Sequence, residues 1–257
     1  MKVYGIIPAR MASTRFPGKP MESILGIPMI GHVYYRSRFS ELLDEVYVAT
    51  CDQVIFDYIT GIGGKAVMTL DSHERCTDRT AEALLKIESE KRERADIVVM
   101  IQGDEPMIIP QMIDDAVKPI LEDEDVLITN LAGELKDETE HDDPNEVKVV
   151  MDQSMNALYF SREPIPSRKK FTGDLPPVYK QVCIIPFRRD FLIEFNRMKP
   201  TPLEIVESVD MLRILEHGYK IRVIPTDNRT YSVDTEQDRN RVEELMINDT
   251  LISQYHS

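Results

Sequence analysis

The run Val3-Tyr4-Gly5-Ile6-Ile7-Pro8-Ala9-Arg10-Met11-Ala12-Ser13-Thr14-Arg15-Phe16-Pro17-Gly18-Lys19 opens on a short apolar stretch and passes directly into a polar loop with three cations. An apolar run of this length without polar alternation is the pattern of a strand covered on both faces, as in parallel sheets. Ligands of open parallel sheets lie beyond the carboxyl ends of the strands, and the first such loop is a common phosphate site. Arg10 and Arg15 offer guanidinium forks to phosphate oxygens and Lys19 offers a mobile ammonium. Ser13 and Thr14 add hydroxyl donors, while Pro17-Gly18 lets the chain turn and come close to a ligand. The spelling is neither GxxxxGK[ST] nor GxGxxG, which weakens ATPase and dehydrogenase readings.

Outward from this run the pattern alternates. Residues 28–38 read as a helix with Pro in its first turn, 45–49 as a strand, and about 52 to Gly63-Gly64 as a helix. Residues 66–68 read as a short strand, 78–94 as a helix burying Ala81, Leu84, Leu85 and Ile87, and 97–101 (IVVMI) as a central strand. A helix over 110–121 and a strand over 126–131 complete an α/β pattern with a mainly parallel sheet. Residues 133–146 carry seven acids and one lysine, a composition that predicts a solvated loop. Two β-type runs follow, 147–151 and 157–161, close enough to pair as a hairpin. The Pro- and Lys/Arg-rich stretch 164–177 predicts a mobile or partner-facing excursion. Thereafter 178–186 reads as a strand, 188–197 and 203–216 as helices, 221–225 as a strand, and a closing helix begins near Thr235.

With 31 basic and 45 acidic residues among 257, the chain carries a net charge of −14. That balance argues against a nucleic-acid binder and against attraction to anionic lipid. A phosphate ligand must therefore be held by a local basic pocket against a repulsive background. No stretch approaches the roughly 18 apolar residues of a membrane span, and the N-terminus has no signal-peptide cleavage pattern. Cys51, Cys76 and Cys183 are few and far apart, which predicts free thiols in a reducing cytoplasm rather than disulfides or a zinc site.

Acids stand where a cation could be held. Gln102-Gly103-Asp104-Glu105-Pro106 ends the IVVMI strand, so the Asp104 carboxylate faces the ligand crevice, unless the turn merely caps the helix at Pro110. Hard oxygen donors of this kind suit Mg²⁺, which takes one or two carboxylates plus substrate phosphates. In Tyr231-Ser232-Val233-Asp234-Thr235, Asp234 or Thr235 reads as the N-cap of the last helix. Asp78 can cap the helix that carries Thr77 and Arg79.

The loop spelling IPARxxSxRxPGKP resembles the signature of nucleotidyltransferases that make CMP-activated sugar acids, in particular the 3-deoxy-manno-octulosonate (KDO) cytidylyltransferase family. The resemblance continues collinearly through Val48-Ala49-Thr50, Thr77, Arg79, the Gln102–Ile108 segment, Pro144-Asn145, Tyr159-Phe160-Ser161-Arg162, Pro202-Leu203-Glu204, Glu207 and Val233-Asp234-Thr235. It implies a nucleotide-diphospho-sugar transferase-like, Rossmann-like three-layer sandwich with a mixed, mainly parallel seven-stranded sheet and a small dimerisation subdomain. By the same resemblance, residues 1–257 form one nucleotidyltransferase domain, with about 150–200 serving dimerisation and the sugar side, and the protein is a cytoplasmic homodimer in lipopolysaccharide biosynthesis. CTP and a 2-keto sugar acid are the implied partners and Mg²⁺ the cofactor, with no nucleic acid or membrane involved. Arg10, Lys19 and Asp104 are the implied catalytic residues. Ala9, Arg10, Ser13, Arg15, Lys19, Thr77, Arg79 and Gln102 are implied against the nucleotide, and Asp104 with Asp234 against the metal. Arg162, Gln181, Ile185, Asp210 and Met211 fall on the sugar side.

Departures concentrate on that sugar side. Gln181 and Ile185 stand where the family carries histidine and tyrosine, and Asp210-Met211 where it carries glutamate and glutamine; Cys76 replaces a glycine. A buried sugar hydroxyl left unpaired costs about 1–3 kcal/mol, so a more apolar pocket is expected to favour an amino or further deoxygenated acid sugar, with KDO itself the simpler expectation. A sugar-phosphate nucleotidyltransferase using another nucleotide is the remaining enzymatic alternative. A retired, nucleotide-sensing site is disfavoured because Arg10, Lys19, Asp104 and Asp234 are all present.

Overall fold

The apolar runs on either side of the basic loop form strands because each is covered on both faces: every residue of Val3–Ala9 and of Ile97–Ile101 is buried. Full burial of such branched side chains stabilises by about 1.5–3 kcal/mol each. The structure, a computed structural model, describes residues 1–12, 16–135, 138–170 and 177–256. The elements run β1 (Val3–Ala9), a 3₁₀ turn (Lys19–Met21), β2 (Ser23–Ile24), β3 (Ile27–Pro28), α1 (Met29–Ser37), β4 (Glu45–Thr50), α2 (Gln53–Gly61), β5 (Ala66–Met68), α3 (Cys76–Lys91), β6 (Ile97–Ile101) and α4 (Pro110–Glu122). Then follow β7 (Thr129–Glu134), α5 (Glu138–Asp142), β8 (Lys148–Met151), β9 (Ala157–Ser161), β10 (Tyr179–Val182), β11 (Ile184–Arg188), α6 (Arg189–Arg197), α7 (Pro202–Glu207), α8 (Met211–Glu216), β12 (Arg222–Thr226) and α9 (Glu236–Met246).

The chain divides into two compact units, Met1–Asp114 with Thr230–Ser257, and Asp115–Arg229. In the first, four parallel strands lie in the order β6-β1-β4-β5, with Val3 beside Ile97 and Tyr4 beside Glu45. Helices α1, α2 and α3 pack on these strands. The C-terminal part returns through Val233, Val242 and Met246, which share a buried cluster with Ile24 and Met29.

The second unit is built on a mixed sheet in the order β12-β7-β10-β8-β9, in which β12 runs parallel to β7 and the other pairs are antiparallel. The expected hairpin is there as β8–β9. An α/β fold with mixed sheets is thus present, but the expected seven-stranded sheet is not: the described strands fall into sheets of five, five and two. Other expectations are corrected locally. The helix read over 203–216 is two helices, because Ser208 takes a left-handed backbone (φ 53°) that ends α7. The strand read over 178–186 is divided into β10 and β11, and the acidic stretch read as a loop contains α5. The excursion read over 164–177 lies partly outside the described residues.

Candidate active site

The basic loop leaves β1 and returns to a 3₁₀ turn that begins at Lys19. Its entry, Gly18, has φ 78°, a conformation that glycine alone adopts without strain. The Gly18 amide donates to Met11 O at 3.1 Å and that of Met21 to Gly18 O at 2.9 Å, which closes the loop and aims Lys19 inward. Across from it, β6 ends in Gln102-Gly103-Asp104. A Cβ at Gly103 would meet Ile30 at 3.1 Å and the Pro8 carbonyl at 3.3 Å, so the turn after β6 lies close against the end of β1.

Asp234 reaches the same place from the far end of the chain. The Val233 amide donates to Asp104 O at 2.9 Å, and the buried Val233 side chain anchors this segment. Thr235, not Asp234, is the N-cap of α9, forming a capping box with Asp238. The Asp234 carboxylate is thereby left to face Lys19. The ammonium lies 2.9 Å from Asp104 Oδ2 and 3.1 Å from Asp234 Oδ1, and Gln102 Nε2 donates to Asp104 Oδ2 at 3.2 Å. The three charged side chains are only 13–22% exposed. Burial works against the lysine charge, but the two carboxylates outweigh it and hold the Lys19 pKa above its ordinary value.

These groups border a cleft of about 510 Å³ lined by Pro8, Ala9, Arg10, Ala12, Lys19, Pro20, Cys76, Gln102, Gly103 and Asp104. That size suits a nucleotide-scale ligand. The exposed Arg10 donates to His73 O at 3.4 Å, linking the phosphate loop to the segment before α3. Thr77 and Arg79 are buried in the first turns of α3. The Arg79 guanidinium is engaged with Thr69 Oγ1, with Leu70 O at 3.2 Å and with His73 O at 3.5 Å. It therefore holds residues 69–73, the segment that leads into α3. Ser13 and Arg15 lie outside the described residues.

Two carboxylates converging on one cation, here the Lys19 ammonium, form a hard-oxygen donor set of the kind that would fit Mg²⁺. Among the described residues no group of three or more His, Cys, Asp or Glu is placed to hold a metal. Further ligands would therefore come from substrate phosphates, the usual Mg²⁺ arrangement.

The sugar-side residues all belong to the second unit. Ile185 and Met211 are buried, Met211 opening α8 with Asp210 at its N-cap position. Arg162 is fixed by three backbone carbonyls: Nε to Glu207 at 2.8 Å, Nη1 to Pro144 at 2.9 Å and Nη2 to Ser208 at 3.4 Å. Gln181 Nε2 donates to Asn130 Oδ1 at 2.7 Å.

Three further residues support these positions. Asn130 spends its own amide hydrogens on Leu131 O and Val182 O, so only its oxygen can face Gln181, which fixes that amide's orientation. Glu207 accepts from Ser161 Oγ at 2.7 Å and from the Arg162 amide at 2.9 Å. Lys148, fully buried, donates to Asp143 O and Arg162 O, and burial pushes its ammonium pKa down. Glu207 and Lys148 (in Val147-Lys148-Val149-Val150) had a signal in the collinear resemblance; an isolated Asn in a strand has none.

A parallel-sheet crevice with a basic loop, facing carboxylates and a nucleotide-sized cleft defines a nucleotidyltransferase. The family model described as cytidylyltransferase matches residues 4–221. The 3-deoxy-manno-octulosonate cytidylyltransferase of Geobacter metallireducens is 44% identical over 96% of this chain and 98% of its own, and that of Geotalea uraniireducens 45% identical over 96% and 99%. The solved structure of CMP:2-keto-3-deoxy-manno-octonic acid synthetase complexed with CTP matches with a TM-score of 0.88 at 36% identity, covering 96% of this chain and 99% of that one. The chain belongs to the 3-deoxy-manno-octulosonate cytidylyltransferase family.

Proposed function

We propose that this enzyme transfers CMP from CTP to KDO or a closely related 2-keto-3-deoxy sugar acid, releasing pyrophosphate. The observation that carries the reading is the convergence of Lys19, Asp104 and Asp234 beside the cleft, in a chain 44–45% identical over nearly its whole length to enzymes of that name. Arg10 and Lys19 grip the triphosphate oxygens, with Ser13 and Arg15 of the same loop. Ala9 and Gln102 lie against the nucleoside, and Thr77 and Arg79 shape the loop around the base. Asp104 and Asp234 would hold Mg²⁺, whose chemistry is to neutralise charge on the phosphate oxygens. With CTP pinned, the anomeric 2-hydroxyl of the acid sugar attacks the α-phosphorus in line and pyrophosphate leaves. Fixed cations facing charge that develops on the leaving oxygens supply most of the acceleration in such transfers.

On the sugar side, Arg162 receives the substrate carboxylate, and Gln181, Ile185, Asp210 and Met211 border the sugar. A second reading, in which the preferred acceptor is an amino or further deoxygenated KDO, rests on Gln181, Ile185 and Met211 standing where the family carries histidine, tyrosine and glutamine. Residues about 150–200 form the sugar-side and dimerisation region of a single catalytic domain in a cytoplasmic homodimer. A homodimer is supported by exposed apolar side chains in the second unit: Leu158 on β9 (61% exposed) and Ile205 and Val206 on α7 (64% and 82%).

Pyrophosphate release, measured with each of CTP, UTP, ATP and GTP against a panel of 2-keto sugar acids, tests the proposal. CTP with KDO or one analogue is expected to turn over. Turnover of GTP with a hexose phosphate, and none with CTP, would overturn it.

A further inference from the structure

Lys19 stands where the ion would. Its ammonium is bonded to both carboxylates at 2.9 and 3.1 Å, and Asp104 Oδ2 is occupied a second time by Gln102 Nε2. A bare divalent ion arriving at the nucleotide-free protein therefore meets a pair of acids already neutralised by a fixed cation. It must expel that cation while giving up its own water, which Mg²⁺ does reluctantly. The displaced ammonium would then remain a few ångströms from the ion with no anion of its own, in a region where charges are poorly screened. A triphosphate changes this balance, because its oxygens offer Lys19 a new partner beside the cleft.

We infer that Lys19 acts as a placeholder cation: it closes the Asp104–Asp234 pair to metal alone, so that the species this site accepts is the metal–nucleotide complex. This rests on the proposed reading of the site and adds to it an order of binding. The lysine then has two positions in the cycle, on the carboxylates before the nucleotide arrives and on phosphate oxygens afterwards. Gly18, immediately before it, holds φ 78°.

The test measures metal without nucleotide and without turnover. Mn²⁺ binding to the nucleotide-free protein is followed by the loss of its free-ion electron paramagnetic resonance signal. Wild type is expected to bind weakly, and Lys19→Met to bind at least about tenfold tighter. Lys19→Arg keeps the charge and is expected to stay at the wild-type level. Adding Asp104→Asn to Lys19→Met is expected to remove the gain, which places the ion at this pair. Equal Mn²⁺ affinity in wild type and Lys19→Met would overturn the inference, as would a gain in Lys19→Arg equal to that in Lys19→Met. Should Lys19→Met not fold, Lys19→Arg and wild type still decide it: Mn²⁺ binding by wild type as tight without CTP as with it would overturn the placeholder. None of these readouts depends on which nucleotide or sugar the enzyme uses, so a failure here is separate from a failure of the proposed reaction.

Discussion

Asp104 shows how one side chain is made useful by its neighbours. Its position at the end of β6 follows from the buried IVVMI run, its closeness to β1 from Gly103, and its pairing with Asp234 from the Val233 amide bond to its carbonyl. Asp104→Asn keeps the shape and removes the charge, leaving Lys19, and the metal proposed for this pair, with one carboxylate. A single positioned group of this kind is worth about 10²–10³ in rate. The expected result is a fall in kcat/KM of that size in pyrophosphate release, while Glu105→Gln, one residue on, stays within a few-fold of wild type. Activity of Asp104→Asn within threefold of wild type would remove it from the chemistry.

Helices α7 and α8 show what the sequence could and could not disclose. The apolar periodicity across 203–216 reads as one helix because periodicity does not register a left-handed residue, and serine at 208 is not a usual signal for one. Similarly, the basic loop, the strand-end aspartate and the VDT segment were legible because each combines a charged residue with a strand or helix terminus. The hydrogen-bond partners that aim Arg162 and Gln181 were not, because the carbonyls of Glu207, Pro144 and Ser208 and the side chain of Asn130 are brought near only by the folded chain. The break between α7 and α8 is held by a buried ion pair: Arg213 Nε donates to Glu204 Oε2 at 2.7 Å, both side chains lie almost wholly out of solvent, and the guanidinium stacks 4.7 Å from the Phe195 ring. Glu204 Oε2 also accepts from the Thr201 amide at the start of α7 at 3.2 Å. Removing one partner strands a buried charge, which costs about 3–5 kcal/mol. Arg213→Met is expected to lower the urea midpoint accordingly, and Arg213→Met with Glu204→Gln to recover part of the loss. If the double variant is as unstable as the sum of its single changes, the pair is not coupled as drawn.

At the scale of the whole chain, the C-terminal segment is tied back to the first unit through α1, and the tie depends on an uncharged histidine. His32 is fully buried; its Nε2 lies 2.8 Å from Ile24 O and its Nδ1 2.9 Å from Tyr255 OH. A carbonyl can only accept, so Nε2 carries the proton and Nδ1 accepts from the Tyr255 hydroxyl, which in turn accepts from Arg36 Nε at 3.0 Å. Arg36 is anchored further by Asp249. Protonation of His32 would put a second cation beside Arg36 and near His256, and would leave the Tyr255 hydroxyl facing two donors. Burial first, and then the Arg36 charge, lower the His32 pKa to about 4 from its ordinary 6.5. The sign follows directly. Between these two values the unfolded chain binds a proton that the folded chain refuses, so stability rises with pH across this window and is lost as pH falls through it. From pH 7 down to 4.5 this one group is expected to withdraw about 2 kcal/mol. Carboxylates titrate in the same range, so the informative quantity is the difference between wild type and His32→Gln. That variant should be less stable at pH 7 and should have a flatter pH dependence, the gap between the two closing by about 2 kcal/mol at pH 4.5 in urea unfolding followed by circular dichroism. Parallel curves for the two proteins over that range would mean that His32 binds its proton equally well folded and unfolded, and that the Arg36–Tyr255 tie does not need it neutral.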